Sequence, residues 1–395
     1  MNRWKSVGFV LILVGSLSTY TVFFQGTFLP TVLVLGSCGL FVASYLLTDE
    51  DSVVRIPRYL LGPGIMLFGA YVLTIPFRPT VLYRPLIDLI IITVSMLLIP
   101  QTIDRSIFFV TVRNLSTVLV LIGLPAVFVG PYSLLGTTIG YPWQVEPPIL
   151  SGQLYPLESI YTNPNFLSVF VLGGMLVSLY IYDIDRGNYS LFALFVNGAG
   201  LLLIQSRSVI VVGTVAALGY VSYKILRTPL FRLAVLGGTL LGIESLILIV
   251  TGVGPLSQLS LSGRRDIWQA GIRVLLENPL IGYGQVPLGP IIETELGRSV
   301  SPHNSYLRVT LETGIIGGIA YVWLVASILF HHLRVPLDRE QAITFLLALS
   351  VAIVMIFETF VIGGIGSSSI LASIALGYLL KDNSGYNNIN SEESD

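Results

Sequence analysis

The chain has 395 residues, of which 53% are hydrophobic and 11% charged, with a formal net charge of −1. That composition excludes a soluble globular domain of this length and carries no electrostatic footprint for nucleic acid. The single cysteine, Cys38, excludes an internal disulfide and any cysteine metal cluster.

A helix needs roughly 20 mostly apolar residues to cross hydrocarbon, because its backbone must satisfy its own hydrogen bonds there. Twelve runs approach this, at about 7–24, 28–47, 59–75, 86–99, 107–130, 166–182, 189–204, 209–226, 231–250, 305–330, 342–360 and 362–380. They predict an all-α integral membrane protein of about 12 transmembrane helices. The first run follows Arg3 and Lys5 as a signal peptide would, but no small-residue cleavage site closes it, so it counts as a span. Two connections are long, about 131–164 and 251–302, and the first is rich in Gly, Pro and aromatic residues. Residues 1–381 read as one membrane domain, and the acidic, Asn-rich segment 382–395 as a disordered cytoplasmic tail.

Cytoplasmic loops collect Lys and Arg. Placing the N-terminus inside puts every lysine inside and both long loops outside, which predicts a plasma or inner membrane protein with both termini cytoplasmic. The outer cations are then all arginines: Arg78, Arg84, Arg207, Arg264, Arg265, Arg273 and Arg298. A guanidinium grips phosphate or carboxylate with a planar fork. Arg78 and Arg84 flank prolines and read as interface anchors.

In the second loop, "SGRRDIWQAGIRVLLENPLIGYG" predicts an interfacial amphipathic helix capped by Ser262 and ended by Asn278-Pro279. Arg265, Gln269, Arg273 and Glu277 form its polar stripe. Arg264 instead aligns with Trp268 and Ile272, on a side where a guanidinium needs an anion, either ligand or protein carboxylate. Further on, "SPHNSYLRVTLETGIIGG" places Ser301 as N-cap, Pro302 at the first helical position and His303 in the first turn. A helix N-terminus attracts phosphate, and a histidine there is placed to act as a general base. Asn304, Arg308 and Glu312 follow at spacing four, so Arg308 and Glu312 can neutralise each other. His331 and His332 fall at the inner helix end. Asp88, Glu244 and Glu358 read as midspan acids without obvious partners, and the outer acids Glu146, Glu158, Asp266, Glu277, Glu293 and Glu295 include no D-x-D pair that would hold a hard cation.

"SGRRDIWQAGIRVLLENPLIGYG", "HNSYLRVTLETGIIGG" and "QSRSVIVV", with "YTNPNFLSVFVLGG" more loosely, resemble the O-antigen ligase and Wzy-type polymerase superfamily of polytopic glycosyltransferases, from about Tyr161 to Gly318. The first five spans match only in hydropathy. The resemblance implies transfer of a glycan from a polyprenyl pyrophosphate (undecaprenyl or dolichyl) to a glycan, lipid or protein hydroxyl at the outer face. It assigns His303 as base and Arg207 and Arg264 as pyrophosphate ligands; Asn304, Arg308, Glu312 and Arg265 read as supporting residues from their positions alone, and without a D-x-D pair among the outer acids no metal or cofactor is expected. Arg308 departs from the family, where an uncharged polar residue is more usual. A transporter or flippase of lipid-linked sugars is the alternative, but such proteins tend to carry inverted repeats and midplane polar groups, whereas this chain gathers its chemistry on one side.

Overall fold

The computed structural model describes residues 3–48, 56–77, 83–146, 153–226, 228–251 and 263–392. Each apolar run forms a helix: α1 (Arg3–Leu17), α2 (Leu29–Leu46), α3 (Leu61–Thr74), α4 (Tyr83–Ile92), which passes through a π turn (Thr93–Leu98) into α5 (Ile99–Thr102), α6 (Arg105–Val129), α7 (Pro164–Asp185), α8 (Asn188–Leu203), α9 (Arg207–Ile225) and α10 (Thr228–Thr251). The second long loop contributes α11 (Arg264–Glu277) and α12 (Gly289–Leu296), and the bundle closes with α13 (Ser305–His332), α14 (Arg339–Val354) and α15 (Ser367–Glu392). By length and composition, six of these are long and apolar enough to cross a membrane: α2, α4 with α5, α6, α7, α9 and α13. Shorter apolar helices lie within α1, α8, α10 and α15. The chain is an all-α membrane protein in which the described β structure is one small hairpin, β1 (Tyr132–Leu134) against β2 (Thr137–Ile139), with two isolated bridges.

α15 runs on through Glu392, beyond the boundary at Lys381 where composition predicts a disordered tail. Extending an existing helix adds one hydrogen bond per residue fixed, without a new nucleus.

α7 is the pillar of the bundle and packs against α6, α8, α9, α14 and α15. Its "LGGMLVS" stretch is small where neighbours approach: a Cβ on Gly174 would lie 1.9 Å from Ser116 Oγ, and one on Gly173 2.9 Å from Leu371. Close approach of this kind is what small residues give membrane helices. The buried Asn197 amide then bridges helices, donating from Nδ2 to Thr117 Oγ1 at 2.9 Å.

The polar side chains divide between two ends. At one, Lys224, Arg186 and Arg339 converge on Asp183, Arg232 donates to the Val335 carbonyl, and Tyr223 donates to the Leu337 carbonyl. At the other, Thr162 binds the Tyr20 carbonyl, Leu157 N–H the Leu203 carbonyl, and Arg84 the Gln285 carbonyl. The first end holds cations that the charge rule places inside; the second holds the long loops.

Candidate functional site

The segment 355–366 between α14 and α15 is the floor of the site. It breaks from helix at the loop-bearing end and is bolted to the start of α13 through the fully buried Ser305. Ser305 N–H donates to the Met355 carbonyl (2.7 Å), its hydroxyl donates to the Glu358 carbonyl (2.7 Å), and Phe360 N–H donates back to that hydroxyl (3.0 Å). The Ser301 hydroxyl donates to Thr359 Oγ1 (3.0 Å), so it is not the helix cap. The expected cap is corrected by three residues: Asn304 is the N-cap, its side chain accepting from Leu307 N–H at 2.9 Å. Pro302 and His303 therefore precede the helix, and His303 takes a left-handed backbone, φ 47°, a conformation uncommon outside glycine.

Glu358 is the residue that sequence reasoning misplaced. It sits at the loop-bearing end, 6% exposed, with Arg264 Nη2 donating to its Oε1 at 2.8 Å and His303 Nδ1 standing 3.9 Å from its Oε2. Arg264 Nε also donates to the Phe357 carbonyl at 3.0 Å. The anion that Arg264 needed on its buried side is thus a protein carboxylate. The signal lay in "ETFVIGGIGSSS", where a Gly- and Ser-rich break begins at Gly363, five residues past Glu358, and interrupts the apolar run.

Two motif segments interlock beside this floor. α11 starts at Arg264 after Gly263 (φ 76°) and buries Ile267, Trp268, Ala270, Val274 and Leu275 against α12 and α13; Ser262 lies outside the described residues. Trp268 Nε1 donates to the Pro302 carbonyl at 3.0 Å, which ties α11 to the histidine. The turn "NPLIGYG" then enters a break in α13: Tyr283 N–H and Gly284 N–H donate to the Leu311 and Glu312 carbonyls, and Ile315 N–H to the Pro279 carbonyl, each at 2.8 Å. The break is at Gly314, φ 73°, where a Cβ would lie 2.2 Å from the Leu280 carbonyl oxygen.

Of the other expected site residues, Arg308 and Glu312 form the ion pair that their spacing predicts, Nε to Oε1 2.8 Å. Arg207 is exposed at the first position of α9, behind Ser206, whose side chain makes no cap bond. α9 runs antiparallel to α14, with Tyr223 bonded to Leu337 and Gly219 against Leu346. Arg207 consequently stands at the end where α14 gives way to the Glu358 segment. It makes no hydrogen bond or ion pair with the described residues, and nor does the half-buried Arg265. Arg78 and the side chain of Glu244 lie outside the described residues. Among the described residues no three His, Cys, Asp or Glu side chains converge on one point. In the first loop Glu158 is 5% exposed, and burial lifts its carboxyl to about 7.

Residues 192–322 match the family model described as O-antigen ligase. Over this stretch the chain is similar to the O-antigen ligase family. The matched stretch runs from within α8 to the middle of α13 and so contains Arg207, Arg264, NPLIGYG and His303. Glu358, which joins Arg264 to His303, lies beyond its C-terminal boundary. No curated protein matches the chain.

Proposed function

We propose that this protein transfers a glycan from a polyprenyl pyrophosphate carrier to an acceptor hydroxyl at the outer face of the plasma or inner membrane, without a metal ion. The observation that carries the reading is Glu358, held between Arg264 and His303. A carboxylate facing Nδ1 favours the tautomer that carries its proton there, which leaves Nε2 as the free acceptor. His303 Nε2 then takes the acceptor's hydroxyl proton, and the acceptor oxygen forms a bond to the anomeric carbon. The bond from that carbon to the pyrophosphate oxygen breaks, with its electron pair leaving on the pyrophosphate. Glu358 balances the imidazolium that results.

The departing pyrophosphate gains charge as the bond breaks, so groups aimed at it stabilise the transition state more than the ground state. Arg207 supplies a guanidinium without a partner among the described residues, at the start of α9, where Ser206 makes no side-chain cap bond. Arg264 supplies what remains of its fork after binding Glu358 and Phe357. Separating binding from chemistry tests this division of labour. With purified protein and polyprenyl pyrophosphate, Arg207→Ala is expected to weaken binding roughly tenfold or more, whereas His303→Ala leaves binding near wild type and stops transfer. Unchanged binding in Arg207→Ala would remove Arg207 from the site.

A further inference from the structure

Asp88 is not a stray midspan acid. It lies in the second turn of α4, and α4 grips Gln285, the residue after the NPLIGYG turn, at both ends: Gln285 Nε2 donates to Asp88 Oδ2 (2.5 Å), and Arg84 Nη1 donates to the Gln285 carbonyl (2.7 Å). The same stretch of α4 closes against Gly363, φ 89°, where a Cβ would lie 3.0 Å from the Asp88 carbonyl oxygen and 2.5 Å from Ile92. α4 thus touches both the NPLIGYG loop and the segment that carries Glu358. Its π turn, further along, seats on α15, where a Cβ on Gly377 would lie 2.2 Å from the Met96 carbonyl oxygen.

These two contacts act on the two supports of the His303–Glu358 pair. The first turns of α13, from its cap at Asn304 to the break at Gly314, form a short piece of helix. Its start is bolted to the Glu358 segment through Ser305, and its end is held by Tyr283 and Gly284 N–H on the Leu311 and Glu312 carbonyls. The Glu312 carboxylate adds a second hold, accepting from the Tyr71 hydroxyl (3.1 Å) and from Arg308 Nε (2.8 Å). A shift at that end is passed along the helix to His303, and a shift at Gly363 is passed along the segment to Glu358. The pair stands at 3.9 Å, longer than a hydrogen bond, so a displacement of about 1 Å decides whether the carboxylate fixes the imidazole.

Bracing alone does not call for this chemistry. Gln285 is 5% exposed, yet its Oε1 has no hydrogen-bond partner among the described residues, and Asp88 lies within electrostatic reach of Glu312 as well as of Arg308 and Arg84. A buried acceptor left unpaired and carboxylates brought towards each other cost stability that apolar side chains of the same size would not. What the polar contacts supply is register, because a hydrogen bond sets distance and angle where apolar packing sets mainly volume.

We propose that Asp88 is a positioning residue for the transfer reaction: with Arg84 it fixes Gln285, and through α13 and Gly363 it sets the distance between His303 and Glu358. This rests on the reaction proposed above and adds a residue that lies outside the matched stretch, on a helix that carries none of the motifs. The test is a double-mutant cycle on transfer by the full-length protein in nanodiscs, from a lipid-linked glycan donor to an alkyl glycoside. Asp88→Ala is expected to lower kcat roughly tenfold or more with the donor's KM unchanged, and Asp88→Asn, which keeps an oxygen for the Gln285 amide, to restore most of it. In a Glu358→Gln background Asp88→Ala should cost little further, because the pair that it positions is already broken. Gln285→Leu cuts the same link from the other side and should give the Asp88→Ala result where that variant fails to fold. A second readout needs no transfer: carbethoxylation of His303 by diethyl pyrocarbonate at pH 8, followed by mass spectrometry, is expected to slow severalfold in Glu358→Gln and to a similar extent in Asp88→Ala.

Equal losses of kcat from Asp88→Ala in the wild-type and Glu358→Gln backgrounds would overturn the positioning role and leave Asp88 a brace, with the transfer reaction untouched. So would a His303 reaction slowed by Glu358→Gln but not by Asp88→Ala or Gln285→Leu. If His303 slows in all of these variants while no preparation, wild type included, transfers glycan, the positioning stands and the reaction proposed above is what fails.

Discussion

Glu358 ties together the two side chains on which the chemistry rests, and the charges around it set what single substitutions do. Arg264→Ala removes the proposed pyrophosphate ligand and also leaves a buried carboxylate without its guanidinium, which costs about 3–5 kcal/mol where such a pair is fully buried. Arg264→Ala is therefore expected to abolish transfer and lower thermal stability, while Arg265→Ala, without a partner among the described residues, retains much of both. Equal losses in the two variants at equal expression would contradict the placement of Arg264. In a double-mutant cycle, Arg264→Ala and Glu358→Ala should be non-additive in stability by about 1–3 kcal/mol; additivity would mean that the ion pair carries no coupling. Away from this site, Glu158 gives a pH signature. Burial lifts its carboxyl from 4.5 to about 7, so between those values the folded state holds a proton that the unfolded chain has lost. Stability from this group is highest below pH 4.5 and falls as pH rises towards 7. Glu158→Gln is expected to raise stability at pH 8 by on the order of 1–3 kcal/mol and to leave it unchanged near pH 4.5, which thermal unfolding in detergent at the two values would check.

At the scale of elements, the interlock of NPLIGYG with the break in α13 explains why two separate motifs both need glycine. Gly282 has φ 71° and Gly314 φ 73°, and a Cβ on either would come within 2.5 Å of backbone. Gly314→Ala and Gly282→Ala are each expected to lower stability by on the order of 3 kcal/mol. Gly39→Ala, on a helix with open space around it, is expected to be neutral or mildly stabilising. Similar melting temperatures for all three would count against the interlock. Much of this architecture was legible beforehand. The twelve apolar runs, the amphipathic α11 with its stop at Asn278, and the Arg308–Glu312 pair all follow from spacing within one element. Contacts between distant segments were not legible. Ser301 looked like a cap, but its hydroxyl finds Thr359, and Asn304 caps instead. Glu358 and Asp88 looked isolated because their partners are Arg264 and Gln285, some 94 and 197 residues away in the chain.

For the whole molecule, the division of polar groups between two ends is what gathers the candidate site on one side of the helix bundle. Asp183 with its cations marks one end, and the Glu358 segment, the second loop and the Tyr20 turn mark the other. By the lysine and arginine asymmetry the first end is expected to face the cytoplasm. Because the native Cys38 is buried, an impermeant thiol reagent should report cleanly on new cysteines: one at Gln269 is expected to react from outside intact cells, and one at Asp185 only after permeabilisation. The reverse pattern would put the site on the wrong side of the membrane for an outer-face reaction. The central claim, metal-independent glycan transfer with His303 as base, meets its most direct test in a single-turnover assay of the purified protein with a lipid-linked glycan donor and an acceptor in excess chelator. The account expects full transfer by wild type and a loss of roughly 100-fold or more in His303→Ala. Transfer stopped by chelator and restored by added metal, or full activity in His303→Ala, would contradict it.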